Sequence, residues 1–517
     1  MQPHGLVRRL SSRRAWLATL LVAFTASTAQ ATWSIIAVNR RTKEICVASA
    51  TCLANFDLRQ FLPVVAVGKG AGCAQSFVDQ TGTNRIAIWN GLRSDNTAAN
   101  ILQVLQQIDP NFQTRQYGII DMATAPVTFT GTGAGLAKFG VAGIDGDISY
   151  AIQGNVLTGN QVITDAEAAF LGLQGDLTSR VMAAMEAARA LGGDGRCSCS
   201  PSAPTSCGVP PASFSKSAHV GFLIDARLGD VDGVCNGSVG CATGSYTLNL
   251  NVIGNTFDLD PVIQLASQYQ AWRTSRLGRP DGIQSLVYVG AQCLPADGLS
   301  ATTVDVQAVD IEGLPVTQGG ATVTLTNVSG FPAVTTPSGI LDHGNGLYSF
   351  ALQAGTTPGE DQWQVRIDDG VKAVTIAPYV KMRVDAPVDL HCGFDEVSVS
   401  RDTFVPLTVN LGPAAAGRRY WILMSAAGTQ PGTVFQGVHM PLNADGYFRF
   451  SAARPNSLAM VNTLGILDNL GYASAGFQTW QNRNFAALLG RRLDFSALVW
   501  FGPNPVPTST GGFDVKP

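Results

Sequence analysis

The chain has 517 residues, 45% of them hydrophobic and 14% charged, with a net charge of −3. That length points to two to four domains of ~100–200 residues each. The apolar content and small charge exclude bulk disorder, and 56 Gly with 26 Pro interrupt the chain too often for a coiled coil or helical array. A near-neutral balance gives no electrostatic basis for a nucleic-acid partner.

Residues 1–31 read as a secretory signal peptide. Arg8, Arg9, Arg13 and Arg14 form a basic start without an acid, 15–25 is an apolar stretch too short to span a bilayer, and Ala29-Gln30-Ala31 is a small-x-small cleavage site. Cleavage leaves 30 basic residues against 37 acidic ones. No later apolar run is long enough for a transmembrane anchor, so the expected location is secreted, periplasmic or cell-surface. All ten cysteines follow Ala31, and eight precede residue 245. An even count in an exported chain reads as disulfides, with connectivity left open. The segments 197–214 and 229–244 hold Gly, Pro and Ser but little apolar material, so cross-links are expected to order them. No His stands at ligand spacing in the Cys197–Cys241 set, and neither a metal nor a cofactor is expected.

Residues 32–275 mix strand and helix patterns. Thr32-Trp33-Ser34-Ile35-Ile36-Ala37-Val38, a polar turn at 40–43 and 45–50 make a hairpin. Strand material follows at 64–67 and 72–78. Asp95-Asn96-Thr97 caps what reads as the first helix, with Ile101, Val104, Leu105 and Ile108 on one face. Strands are expected at 116–122, 127–130, 150–155, 218–226 and 246–253. Residues 165–191 read as Ala- and Met-rich helix with Gly175 as its breaking point, and Asp260-Pro261 starts another helix through Trp272. Strands separated by pairs of helices imply an α+β, layered α-β-β-α sandwich. A linker over 276–299 leads to two all-β sandwich domains. Within 300–386, Val304, Val306, Ala308, then Tyr348, Phe350, Leu352, then Trp363, Val365, Ile367 alternate with polar residues. Within 393–502, Tyr420, Trp421, Phe435, Tyr447, Phe448 and Phe450 lie in short alternating runs, and 503–517 reads as a tail.

Several segments then stand in a familiar order: Thr32 to Ala37, 45–49, Ala74-Gln75-Ser76-Phe77, Arg115-Gln116-Tyr117-Gly118-Ile119-Ile120-Asp121, Gln153-Gly154-Asn155-Val156-Leu157, Gly192-Gly193-Asp194-Gly195-Arg196 and Lys216-Ser217-Ala218. In that order they resemble the bacterial domain of unknown function 1028 family, over about 32–270. The resemblance implies a four-layer N-terminal-nucleophile (Ntn) hydrolase-like sandwich. The Cys-rich stretch 197–214 and the insertion 229–244 depart from the family pattern, as does Leu248-Asn249-Leu250-Asn251-Val252. Asp310-Ile311-Glu312-Gly313-Leu314-Pro315 and Asn345-Gly346-Leu347-Tyr348 resemble bacterial immunoglobulin-like domains of the invasin type.

An Ntn hydrolase uses the first residue of its mature chain as nucleophile. A hydroxyl needs a nearby base, and a free α-amine, with a pKa of about 7.7–8.0, supplies one on the same residue. Thr32, directly after the cleavage site, is the candidate nucleophile. Asn155 and Gln75 are candidate donors to an oxyanion. Asp194, beside Arg196, could orient the site or form a loop ion pair. Lys216 and Ser217 could lower the amine's pKa or relay protons. His219 reads as a strand residue and not as the base. Two readings follow: an exported hydrolase of an amide or peptide-like substrate, or a non-catalytic extracellular or envelope scaffold on an Ntn-like fold. In both, the β-sandwiches would meet a cell-surface or extracellular partner.

Overall fold

The protein is described by a computed structural model covering residues 32–386, 388–480 and 483–517. The proposed signal peptide lies outside the described residues. Among those described, no helix is long and apolar enough to cross a membrane.

The first unit is mixed α/β. Its strands are β1 (Thr32–Asn39), β2 (Ile45–Thr51), β3 (Pro63–Ala66), β4 (Gly70–Ser76), β5 (Arg115–Asp121), β6 (Val127–Thr130), β7 (Phe139–Asp145), β8 (Ile148–Asn155), β9 (Val220–Ala226) and β10 (Leu248–Val252). Its helices are α1 (Thr83–Arg93), α2 (Ala98–Ile108), α3 (Gln161–Gly172), α4 (Leu177–Ala190), the single turn α5 (Gly195–Ser198) and α6 (Pro261–Thr274). One sheet has the order β10-β9-β2-β1-β8-β7, so β1 is internal; the other runs β3-β4-β5-β6. Alternation along β1 explains the packing. Trp33, Ile35 and Ala37 face a core shared with α3, α4 and α6. Ile36 and Val38 face a second core, shared with Val65, Ala71, Cys73 and Ile120 of the other sheet. A third core joins that sheet to α1 and α2 through Ile88, Leu92, Ile101 and Leu105.

The helix expected at Asp95 is α2, whose cap is Thr97: its hydroxyl accepts from the Asn100 amide at 3.2 Å. It is the second helix of the unit, not the first. The first, α1, begins after Gly82 with no side-chain cap and buries the polar Asn84 and Arg85 along with Ile88 and Leu92, which hides its apolar face. Gly175 does separate two helices, α3 and α4, and Asp176 caps the second.

Residues 276–299 are not a linker. They contain β11 (Leu286–Val289) and β12 (Cys293–Pro295), which join the sheets of a β unit with β13 (Ala301–Gln307), β14 (Thr322–Asn327), β15 (Thr335–Pro337), β16 (Leu341–Asp342), β17 (Leu347–Ala354), β18 (Gly359–Asp368), β19 (Ala373–Thr375) and β20 (Val380–Asp385). One sheet is β11-β13-β17-β15 with β16 beside β17; the other is β12-β20-β18-β14 with β19 beside β18. Four-residue β11 and three-residue β12 are too short for alternation to show.

The last unit is also larger than expected. Leu390–Cys392 pairs with Phe404–Asn410, and Gly511–Lys516, expected as tail, pairs with both Arg492–Trp500 and Glu396–Ser398. Phe513 and Val515 are fully buried, and that burial holds the segment in the sheet. Nor is the unit wholly β. Gly446–Ala453 is a helix capped by Asp445, whose carboxylate accepts from the Phe448 amide at 2.7 Å. Tyr447, Phe448 and Phe450 therefore lie on a helix and not in an alternating run.

Candidate functional site

The site is built where β1 begins. Thr32 faces Asn155 across the antiparallel β1–β8 ladder, and Ser34 faces Gln153. The parity that sends Ile36 and Val38 between the sheets sends Thr32 and Ser34 the same way. There the chain places a buried row of side-chain amides. Gln153 Nε2 donates to Ser34 Oγ at 2.7 Å, and Ser34 Oγ donates to Gln75 Oε1 at 2.6 Å. Gln75 Nε2 donates to Gln116 Oε1 at 2.8 Å and to the Thr32 carbonyl at 3.2 Å. Gln116 Nε2 reaches back to the Gly154 carbonyl at 3.0 Å. The row stitches the two sheets together below Thr32. Buried polar groups require such pairing. Gly118 makes room for it, since a Cβ there would stand 2.3 Å from Gln153 Oε1.

Gln75 thus spends both N–H bonds on Gln116 and Thr32. It positions the first residue of the strand and has no donor left for an oxyanion. Asn155 Nδ2 donates to Ser76 Oγ at 3.2 Å. Both residues stand beside unusual backbone: Ser76 has φ +78° and Val156 φ +54°. A β-branched residue in the left-handed region is a genuine outlier. Val156 is held there by its N–H to the Leu136 carbonyl at 2.7 Å and by its carbonyl, which accepts from Gly195 N at 3.1 Å. Sequence reading missed this kink, because Val carries no signal for positive φ.

Asp194 lies across the end of the sheet. It is fully buried, bridges to Leu157 beyond β8, and accepts the Cys52 amide beyond β2 at 2.7 Å. Since β2 and β8 flank β1, Asp194 spans the edge where Thr32 starts. Arg196 pairs with it at 2.8 Å and also donates to Thr51 Oγ1 at 3.4 Å. The Cys52–Cys197 disulfide ties the same turn to β2. Asp194 N donates to the Ser217 carbonyl at 3.1 Å, but the Ser217 side chain looks elsewhere: its Oγ and N both donate to Asp260 Oδ2, at 2.8 and 2.7 Å. Lys216 donates its amine to the Asn255 carbonyl. These contacts direct Lys216 and Ser217 to the 255–260 loop and α6, not to Thr32.

His219 packs against the disulfide, with Nε2 3.4 Å from Cys197 Sγ, and burial and the nearby Lys216 hold its pKa below the ordinary histidine range. Cys52, Cys197 and His219 bring their ligand atoms within 4.8 Å of one another, yet the two sulfurs are bonded to each other and cannot serve as thiolates. The inserted segments carry Cys199–Cys207 and Cys235–Cys241, as expected for stretches with little to bury. Cys46, Cys73, Cys293 and Cys392 are unpaired and buried.

Residues 32–205 match a family of unknown function, DUF1028, and residues 281–381 match invasin domain 3. Among solved structures, a DUF1028 protein from Silicibacter pomeroyi is 17% identical, covering 47% of this chain and 88% of that one with a TM-score of 0.34. The adhesin InvE of Yersinia pseudotuberculosis is 17% identical over 44% of this chain and 58% of its own, with a TM-score of 0.18. Invasin, a bacterial integrin-binding protein, is 9% identical over 93% of this chain and 60% of its own, also at 0.18. The chain therefore spans less than two thirds of either of those two proteins. No curated protein matches it. Disulfides together with an invasin-type domain fit an extracytoplasmic setting.

Proposed function

We infer, for a chain that carries a DUF1028 domain over residues 32–205 and an invasin-type domain over 281–381, that the first unit is an exported Ntn-type hydrolase of an amide or peptide-like bond. The observation that carries this reading is the placement of Thr32: first residue of an internal strand, turned between the two sheets, and anchored by Gln75 through its own carbonyl. Helices on the outer faces of the two sheets support assignment to the four-layer Ntn sandwich. In this mechanism signal-peptide cleavage after Ala31 frees the Thr32 amine. The amine takes the hydroxyl proton as Oγ attacks the acyl carbon, and it returns that proton to the leaving amine. Water then releases the acyl group from Oγ by the same route. Asn155, opposite Thr32, supplies the oxyanion donor, and Asp194 with Arg196 fixes the strand end. The β units present the enzyme to a surface or an extracellular partner, in the periplasm, the medium or on the cell envelope.

One observation favours the alternative, a non-catalytic scaffold or binding module. Three of the residues expected at the site, Gln75, Lys216 and Ser217, are committed to structural hydrogen bonds. The deciding experiment is N-terminal sequencing of the exported protein, followed by turnover on a panel of amide and peptide substrates. A mature Thr32 terminus and loss of turnover in Thr32→Ala, with partial retention in Thr32→Ser, are expected. A terminus elsewhere, or activity surviving in Thr32→Ala, overturns the mechanism.

A further inference from the structure

The first unit meets the invasin-type unit just after α6. The loop following β9 presses on β19, where a Cβ at Gly229 would stand 2.1 Å from Thr375 Oγ1, and Arg279 pairs with Asp369 at 2.8 Å through both its Nε and its Nη2. Between the units lies a cavity of about 170 Å³. That is far more than the ~10–15 Å³ one water requires. Arg227, Arg276, Arg366, Gln364 and Thr375 line it, with Asp230.

Arg276 has no counterpart there. It is 7% exposed, and among the described residues its guanidinium makes no hydrogen bond and no ion pair. A buried cation is normally paired, because an uncompensated charge away from water is costly. The nearby carboxylates are each hydrogen-bonded to other groups, and none bonds Arg276. Asp281 holds Arg227 at 2.7 Å, Asp369 holds Arg279, and Asp230 accepts from the Arg227 and Thr247 amides at 2.9 and 2.8 Å and from Thr247 Oγ1 at 3.2 Å. Its other neighbours are cations. Burial, then Arg279 and Arg227, pull the Arg276 pKa down against the weaker opposing pull of Asp281 and Asp369, and Lys372 feels Arg276 in turn while donating to the Thr247 carbonyl at 3.3 Å. Arg366 reaches the cavity from the outward face of β18, beside Thr375 in the β18–β19 ladder, and has no partner of its own among the described residues.

We propose that this cavity binds a small oxyanion, a carboxylate or phosphate group, with Arg276 as its buried counter-charge and Arg366 as a second donor. Guanidinium groups suit such ligands because their donors form a planar fork. Once seated, the anion touches both units and holds them together. The site is separate from Thr32 and does not depend on the hydrolase reading.

The test is thermal unfolding and titration calorimetry on the full mature protein. Inorganic phosphate and succinate are each compared with chloride at matched ionic strength. A saturable rise in the unfolding midpoint is expected with at least one of them: phosphate alone identifies a phosphoryl ligand, succinate alone a carboxylate, and both the shared chemistry. Arg276→Gln should lower affinity by roughly 10-fold or more. In chloride it should unfold no earlier than the parent, because it removes an unpaired buried charge. Arg366→Ser, an exposed change without a folding role, should weaken binding several-fold. No saturable response to either anion, or an undiminished response in Arg276→Gln, overturns the proposal. Arg276→Gln unfolding well below the parent in chloride also overturns it, since the guanidinium would then be serving the fold.

Discussion

Single residues carry the sharpest consequences. If Asn155 donates to the oxyanion, Asn155→Ala should lower the turnover rate by ~10²–10³-fold with little change in fold, read by steady-state kinetics beside far-UV circular dichroism. His219→Ala should change the rate far less, because the imidazole contacts a disulfide and not the strand end. Gly193 answers to sterics alone. It has φ +54°, and a Cβ there would stand 2.6 Å from the Trp33 ring and 3.0 Å from Ser217. Gly193→Ala should therefore cost ~1–3 kcal/mol, measured as a lower urea midpoint at unchanged slope. The four unpaired cysteines are buried, and burial pushes their thiol pKa values up, that of Cys392 to about 12. Alkylation should be slow on the native protein and should find four thiols per chain once it is denatured without reduction.

At the scale of elements, legibility followed pattern length. β13, β17 and β18 run seven to ten residues with strict alternation, and their buried residues are the ones the alternation marks, from Val304 to Ile367. The α2 cap and the break at Gly175 were readable because Thr97 and Gly175 each do a local job. The elements that stayed hidden owe their form to distant partners. β7 is an edge strand with no fully buried residue, β12 is three residues paired in parallel with β20, and Gly511–Lys516 is held by two strands of its unit. The site divides in the same way. Thr32 and Asn155 were legible as a strand start and a strand end, and the ladder sets them opposite. The amide row through Ser34, Gln116 and Gln153 was not, because residues from four strands meet only after both sheets form. Nor could the sequence reveal that Lys216 and Ser217 turn toward α6.

Across the whole molecule, charge is concentrated where the first unit meets the second. Arg227 is buried with three acids: Asp225 and Asp281 at 2.7 Å and Glu44 at 3.2 Å. Burial, together with neighbouring acids, raises the carboxyl pKa of Glu44 well above its usual range and that of Asp225 from 3.8 to about 6, even though Arg227 opposes the shift. A carboxyl raised by folding binds its proton more tightly in the folded state. Its contribution to stability is complete below the unfolded pKa and declines as pH rises through the folded one. Asp225→Asn should therefore gain stability relative to the parent between pH 4 and pH 6, and hold that gain above it, in paired denaturant titrations. The Cys52–Cys197 bridge closes a span of 145 residues, a constraint worth ~5 kcal/mol in a chain-entropy account. It also bears on how the protein is made. In an exported chain, cysteines emerge from the translocon in chain order, so Cys46, Cys52 and Cys73 would meet an oxidant before Cys197 does. Pairing by order of appearance would join two of those three and strand the rest. The native bridge must wait for late oxidation or be recovered by thiol–disulfide exchange, so a host lacking a disulfide isomerase should accumulate non-native early pairs, visible by peptide mapping.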